Sequence, residues 1–250
     1  MKKNLNNFIF LVIIFITGCS TLHKNEPPLA QSKEVMNPKR QTEGLFLEHK
    51  YFTINYNSAN RLANWVKYSL KKAELNGPGV RLKKFKPDPI LVKMGIKPVV
   101  HDDYTNSGYA RGHLAPAEDF SRSQDAIEST FVMSNVIPQK GSVNSGSWAQ
   151  LEKQVRAWAC GEELITVITG PVIKQDMPKI HGDISVPQEF FKIVIDETPP
   201  KKAIAFVYDQ SGKSQSLIRN QVALSSVLVA NNIQSDITND SALKDWKDCK

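Results

Sequence analysis

Three runs of β-branched and apolar residues constrain this chain most: Leu164 to Ile173 (LITVITGPVI), Phe190 to Ile195 (FFKIVI) and Ala203 to Tyr208 (AIAFVY). Each has the length of a strand, and their apolar continuity suits the middle of a sheet. Upstream, Phe52, Ile54 and Tyr56 alternate with polar residues. Val66, Tyr68 and Leu70 do the same beyond a turn at Asn57-Ser58-Ala59-Asn60, which predicts a hairpin. Phe131 to Ile137 predicts another buried strand, stopped by Pro138. One helix is clear. Trp148, Leu151, Val155 and Trp158 recur at helical spacing from a start near Ser147, with Cys160-Gly161 as the expected end. Residues 80–107 carry Pro87, Pro89 and Pro98 and read as mostly irregular, and 217–233 fits strand or helix. Six or seven strands with few helices predict an α+β fold built on a mainly antiparallel central sheet.

The first 44 residues follow different rules. Lys2 and Lys3 precede nine apolar residues, Phe8 to Ile16, and then Thr17-Gly18-Cys19. So short an apolar run is a secretory signal and not a membrane span. Ile16-Thr17-Gly18-Cys19 resembles a bacterial lipobox. That resemblance implies a signal peptide at 1–18, a lipidated Cys19, and sorting to the outer membrane, since Ser20 and not Asp follows the cysteine. An ordinary cleaved signal with a chance cysteine is the alternative. Residues 19–44, with Pro27, Pro28 and Pro38, read as the lipidated cysteine and a polar tether, which leaves 45–250 as the folded domain. The expected location is lipid-anchored, facing the periplasm or the cell surface. In an oxidising compartment the remaining cysteines, Cys160 and Cys249, either pair or stay as two separate thiols.

The formal charge of +7 includes Lys2 and Lys3, so the folded part carries only a modest positive surplus. It permits a polyanionic partner without requiring one. Lys67, Lys71 and Lys72 cluster, as do Arg81, Lys83, Lys84 and Lys86. Such runs form either a solvated face or a surface that tracks phosphates.

The stretch SGYARGHLAPAEDF, Ser107 to Phe120, holds a single histidine, His113, among turn formers that place it near the surface. No metal-ligand spacing surrounds it. Alone it is more often inert than functional. Glu152 and Arg156 lie at the edge of the helix's apolar stripe, where an i,i+4 ion pair is the ordinary expectation.

Together the segments GYARGHLAPAEDF, TFVMSNVIPQKGSVNSGSWAQLEKQVRAWA and VITGPVI resemble the DNA/RNA non-specific endonucleases of the ββα-metal superfamily. RLANWVKYSL upstream and VPQEFFKIVI downstream resemble that family's flanking strands. The resemblance implies a ββα-metal catalytic motif and a nuclease acting on DNA and RNA backbones. It makes His113 the catalytic histidine, Asn144 the metal ligand and Glu152 the glutamate supporting the metal's water shell. Asn135 and Arg156 match further active-site positions, and Arg111 matches the motif arginine. The implied metal is Mg²⁺, or Mn²⁺ in its place. Mg²⁺ keeps several waters, so one amide oxygen suffices as a direct ligand. A neutral imidazole can take a proton from water near neutral pH. The family also contains homodimers, which this sequence does not reveal.

One residue departs from the family's commonest motif. Ala110 stands where Asp usually precedes the arginine. Asp102, Asp103, Glu118 and Asp119 are the nearby acids that would compensate. The substitution leaves two other readings open: a nucleic-acid-binding lipoprotein with impaired catalysis, or a phosphodiesterase for a different substrate.

Overall fold

Alternation builds the first edge of the sheet. The computed structural model describes residues 44–213, 216–237 and 239–249, so the expected signal peptide at 1–18, Cys19 and the tether up to residue 43 lie outside the described residues. β1 (Leu45–Glu48), β2 (Thr53–Asn57) and β3 (Leu62–Lys71) form a meander. The Asn57 side chain accepts the Asn60 N–H at 3.1 Å, closing the predicted turn. Leu62, Val66, Tyr68 and Leu70 of β3 turn inward, as their period of two requires.

The middle of the chain is short and irregular: α1 (Pro89–Lys93), β4 (Ala110–His113), α2 (Gln124–Ser129) and β5 (Val136–Gln139). Asp88 caps α1 by accepting the Ile90 N–H at 2.8 Å, and Pro89 supplies the first helical residue. The long helix α3 (Trp148–Glu162) follows, then β6 (Leu164–Pro171). The chain continues through β7 (Lys179–Ile180), β8 (Ile184–Ser185), β9 (Glu189–Asp196) and β10 (Lys202–Asp209). It closes with α4 (Leu217–Asn220), β11 (Gln221–Val222) and α5 (Leu224–Ala230). The segment that fits either strand or helix is therefore both in turn.

The main sheet has seven strands in the order β1-β2-β3-β6-β9-β10-β11, with every neighbouring pair antiparallel. This is the expected α+β architecture. The sheet is covered on both faces. Trp148, Leu151, Val155 and Trp158 of α3 lie in one core with Val167, Phe190, Val194 and Phe206. Leu224 and Val227 of α5 pack with Phe191, Ile193, Ile195 and Ala205 on the other side. β4 and β5 pair separately and antiparallel, and α3 follows them, giving a β-β-α unit.

Two boundaries differ from the sequence expectation. Residues 131–135 are not a strand, because β5 starts at Val136 and runs through Pro138. Pro138 is tolerated because its strand has a partner on one side only, where it faces Arg111, and its carbonyl accepts from Gln210 Nε2 at 2.8 Å. Gly161 does not end the helix, which continues to Glu162 with Glu163 at φ +72°. A Cβ at Gly161 would lie 2.0 Å from the Lys247 carbonyl oxygen, so this glycine serves the close approach of the C-terminal segment.

That segment is tied down covalently. Cys160 and Cys249 form a disulfide with Cα atoms 5.0 Å apart and a sequence separation of 89. Nearby, Trp246 stacks on Trp158 at 5.1 Å between ring centroids. Cys249→Ala is expected to lower the unfolding free energy by about 2–5 kcal/mol. Urea titration of the non-reduced variant measures this, and an unchanged midpoint would show that the bond adds nothing to stability.

Candidate active site

The β-β-α unit brings residues distant in sequence to one pocket. It measures about 350 Å³ and is lined by Arg81, His113, Pro116, Glu118, Asn144, Ser145, Ala149, Glu152 and Arg156. His113 arrives on β4, whose strand begins at Ala110 and is tied to β5 from Ala110–Gln139 to His113–Val136. A Cβ at Gly112 would meet the Gln139 side chain, Oε1 at 2.0 Å, so a larger residue there would need that side chain to shift. Asn144 sits in a widened, π-type turn, Val143–Ser147, that leads directly into α3. Glu152 and Arg156 follow one and two turns into α3, beside its buried stripe.

His113 is buried, with 6% of its surface exposed, and does not lie openly at the surface as its turn-forming neighbours suggest. Phe85 and Phe131 flank its ring, with centroids at 4.8 Å and 5.0 Å. Burial, helped by the Arg81 guanidinium, pushes its pKa down to about 3, so the ring is neutral at physiological pH. Its Nε2 makes no hydrogen bond to protein. The residue lines the pocket in its neutral form, the form in which an imidazole can accept a proton.

Arg156 does not pair with Glu152, as i,i+4 spacing alone suggests. Its Nη1 donates to Asp119 Oδ1 at 2.8 Å, and the Tyr68 hydroxyl donates to Asp119 Oδ2 at 2.7 Å. Burial pushes the Asp119 carboxyl up, with Arg156 the largest charge opposing it. Burial also pushes the Glu152 carboxyl up, and the Lys192 charge is the first to act against that. Arg81 Nη1 pairs with Glu118 Oε1 at 2.7 Å and lies over the Phe131 ring at 5.6 Å.

Two expected site residues are placed elsewhere. Arg111 donates from Nε and Nη2 to the His101 carbonyl, at 3.1 and 2.6 Å, and covers the Tyr104 ring; it is not among the pocket's walls. Its partner is a backbone carbonyl, so it does not depend on a carboxylate at position 110. Asn135 is fully buried. Its amide bonds the Ala115 N–H and carbonyl, both at 2.9 Å, and the Thr130 carbonyl at 3.0 Å. It clamps the loop that leaves His113, and no polar atom remains for a substrate. Conversely, Arg81 stands in the pocket, although the sequence shows it only as one member of a basic run.

The donor set suits a hard, well-hydrated cation. Among the described residues no group of three or more His, Cys, Asp or Glu forms a ligand cage. The pocket instead offers the Asn144 amide, the Glu152 carboxylate and room for waters, which is a Mg²⁺-like environment.

The DNA/RNA non-specific endonuclease family profile matches residues 31–244. A nuclease of Nostoc sp. is 28% identical over 197 residues, covering 74% of this chain and 71% of its own length. The mitochondrial nuclease EXOG of Danio rerio is 30% identical over 171 residues, covering 61% of this chain and 48% of its own, so the chain spans about half of that relative. The crystal structure of the EndoG/EndoGI complex aligns with a TM-score of 0.67 at 27% identity, covering 77% of this chain and 86% of that one. The chain belongs to the DNA/RNA non-specific endonuclease family.

The shielding of His113 has a measurable sign. The unfolded ring titrates near 6.5 and the folded ring near 3, so the unfolded state binds the extra proton between those values. Stability from this group is complete above the unfolded value and is lost as pH falls through the window. A ring-nitrogen NMR titration is expected to find His113 neutral from about pH 8 to about pH 5. A midpoint at the ordinary 6.5 would contradict the shielding.

Proposed function

We propose that this family nuclease hydrolyses the phosphodiester bonds of DNA and RNA without sequence preference, using a divalent metal, with Mg²⁺ first and Mn²⁺ in its place. The observation that carries the reading is the meeting of a neutral His113 with Asn144 and Glu152 in one pocket. Asn144 would hold the metal directly and Glu152 through its water shell. When bound, the metal supplies neutralising charge at the phosphate and stabilises the departing oxygen.

The chain's own residues do the rest. His113, neutral and lining the pocket, takes a proton from the attacking water. Arg81 presents fixed positive charge beside the histidine for the phosphate, and Glu118 holds its guanidinium in place. Arg156 is fixed by Asp119 along the same wall. None of these groups offers a base-reading pattern, which fits backbone recognition.

Position 110 bears on the competing reading of a binding protein with impaired catalysis. Ala110 faces Gln139 across the β4–β5 pair, and its neighbour Arg111 is already satisfied by the His101 carbonyl. Three of the four acids suggested as compensation have other partners: Asp119 pairs with Arg156, Glu118 with Arg81, and Asp103 accepts the Val100 N–H. Ala110 therefore tunes the rate and does not abolish it.

The test is plasmid and RNA cleavage with Mg²⁺ or Mn²⁺, with and without EDTA. His113→Ala is expected to lose at least about 100-fold in rate, Asn144→Ala to weaken metal binding and the rate with it, and Ala110→Asp to change the rate by less than about tenfold. Binding without metal-dependent cleavage by the wild type would overturn the reading in favour of the impaired one. Cleavage of small phosphodiesters alone would favour another substrate.

We further propose that acyl chains on Cys19 hold the protein at the outer membrane, facing the periplasm or the cell surface, on the strength of the basic, apolar and Thr-Gly-Cys order. Palmitate labelling of expressing cells, lost in Cys19→Ala, is the expected result. Labelling that survives the substitution would refute the anchor.

A further inference from the structure

Residues 81–86 (RLKKFK) divide by character. Leu82 and Phe85 turn inward and pack on Ala117, Ile127 and Phe131, and the Phe85 ring lies 4.8 Å from that of His113. Arg81, Lys83, Lys84 and Lys86 are exposed. The backbone is braced at both ends. The Val80 N–H donates to Gln124 Oε1 at 2.9 Å, and Gln124 Nε2 donates back to the Val80 carbonyl at 3.3 Å. The Lys86 N–H donates to the Phe131 carbonyl at 2.9 Å, and its own carbonyl accepts the Met133 N–H at 3.0 Å. Apolar anchors and backbone bonds together make a fixed ribbon that turns its cations to solvent.

Four like charges within six residues repel one another. The acids beside them relieve only one. Glu118 pairs with Arg81, while Asp125 is taken by Lys50 and the Tyr51 hydroxyl. Lys83, Lys84 and Lys86 have no salt bridge among the described residues. Elsewhere Lys72, Lys174 and Lys201, also exposed, each meet a glutamate. The ribbon therefore holds uncommitted cations on a backbone that is already ordered, which lowers the entropic cost of binding an anion.

Its position selects the anion. Arg81 is a wall of the pocket, so the ribbon begins where the chemistry is placed. Five residues of chain reach at most about 18 Å, the rise of about five nucleotides in one strand of a duplex. A polyanion with one phosphate in the pocket carries further phosphates at such distances.

We propose that the ribbon Arg81–Lys86 is the surface along which a polynucleotide backbone enters the pocket: Arg81 meets the phosphate at the site, and Lys83, Lys84 and Lys86 meet those next to it. This rests on the reading of the pocket as a phosphodiester site. Ammonium groups answer to charge and not to base identity, so the surface is neutral to sequence.

Binding of a fluorescent DNA duplex to the full-length protein in EDTA is read by anisotropy against salt concentration. The Lys83→Ala/Lys84→Ala/Lys86→Ala variant is expected to raise Kd by about 10–100-fold near 0.1 M salt and to flatten the log–log salt slope by about 2–3, one step for each lost phosphate contact. With Mg²⁺, KM for plasmid is expected to rise more than kcat falls. Arginine at the same three positions is expected to keep the wild-type Kd. Lys72→Ala/Lys174→Ala/Lys201→Ala removes as much charge from paired lysines and is expected to shift Kd by less than about threefold.

An unchanged Kd and slope in the ribbon variant would overturn the proposal, as would an equal loss in the paired-lysine variant. Losses that follow a lowered thermal midpoint and persist with arginine would assign the ribbon to structure instead. A loss confined to binding of phosphatidylglycerol vesicles would make it a membrane contact. Failure of the broader reading looks different: a wild-type chain that binds the duplex in EDTA yet never cleaves it with metal removes the nuclease, while the Kd comparison still decides the ribbon.

Discussion

Everything at the site depends on how α3 seats on the sheet. Trp148, Leu151, Val155 and Trp158 bury one stripe of the helix against β6, β9 and β10, and that contact fixes the rotation of the helix about its own axis. Glu152 and Arg156 flank the stripe, so the same rotation turns them to the rim where β4 presents His113. The widened turn before α3 adds Asn144 to that rim. Helix, turn and strand are each ordinary. Their meeting point is set by apolar packing, and the polar groups are carried there by it.

Around this contact the protein separates rigidity from chemistry. Asn135 and the β4–β5 pairing hold the backbone on either side of His113. Phe85 and Phe131 keep the ring dry and neutral. Arg111 anchors the segment ahead of β4 through the His101 carbonyl. The motif arginine bonds the His101 carbonyl and the Thr105 hydroxyl, and the motif asparagine bonds backbone groups of Ala115 and Thr130, so both brace the loops around β4. The charged residues that do face the pocket are themselves braced, Arg81 by Glu118 and Arg156 by Asp119.

Much of this was legible beforehand. The hairpin of β2 and β3, the strands β6, β9 and β10 and the stripe of α3 follow from periodicities of two and 3.6, which are local. His113, Asn144 and Glu152 stood out as a set only through the resemblance of three ordered segments to a nuclease family. The misread places have physical causes. Pro138 is tolerated in β5 because that strand pairs on one side only, and pairing partners are not local information. Gly161 looked like a helix end, yet it answers to Lys247 across the fold. His113 looked exposed because its sequence neighbours are turn formers, while Phe85 and Phe131, distant in sequence, bury it. Lys192 is a charge at the centre of an otherwise apolar strand run, and only the packing of the sheet shows that it is fully buried.

The sequence by itself determined the α+β class, the central strands and the amphipathic helix. Those depend on side-chain period and composition along short stretches. Only the tertiary structure decided which residues share the pocket, that Arg156 answers to Asp119 and not to Glu152, and that His113 is dry. Those facts depend on which surfaces pack together, since burial and charge pairing are properties of distance in space and not of distance along the chain.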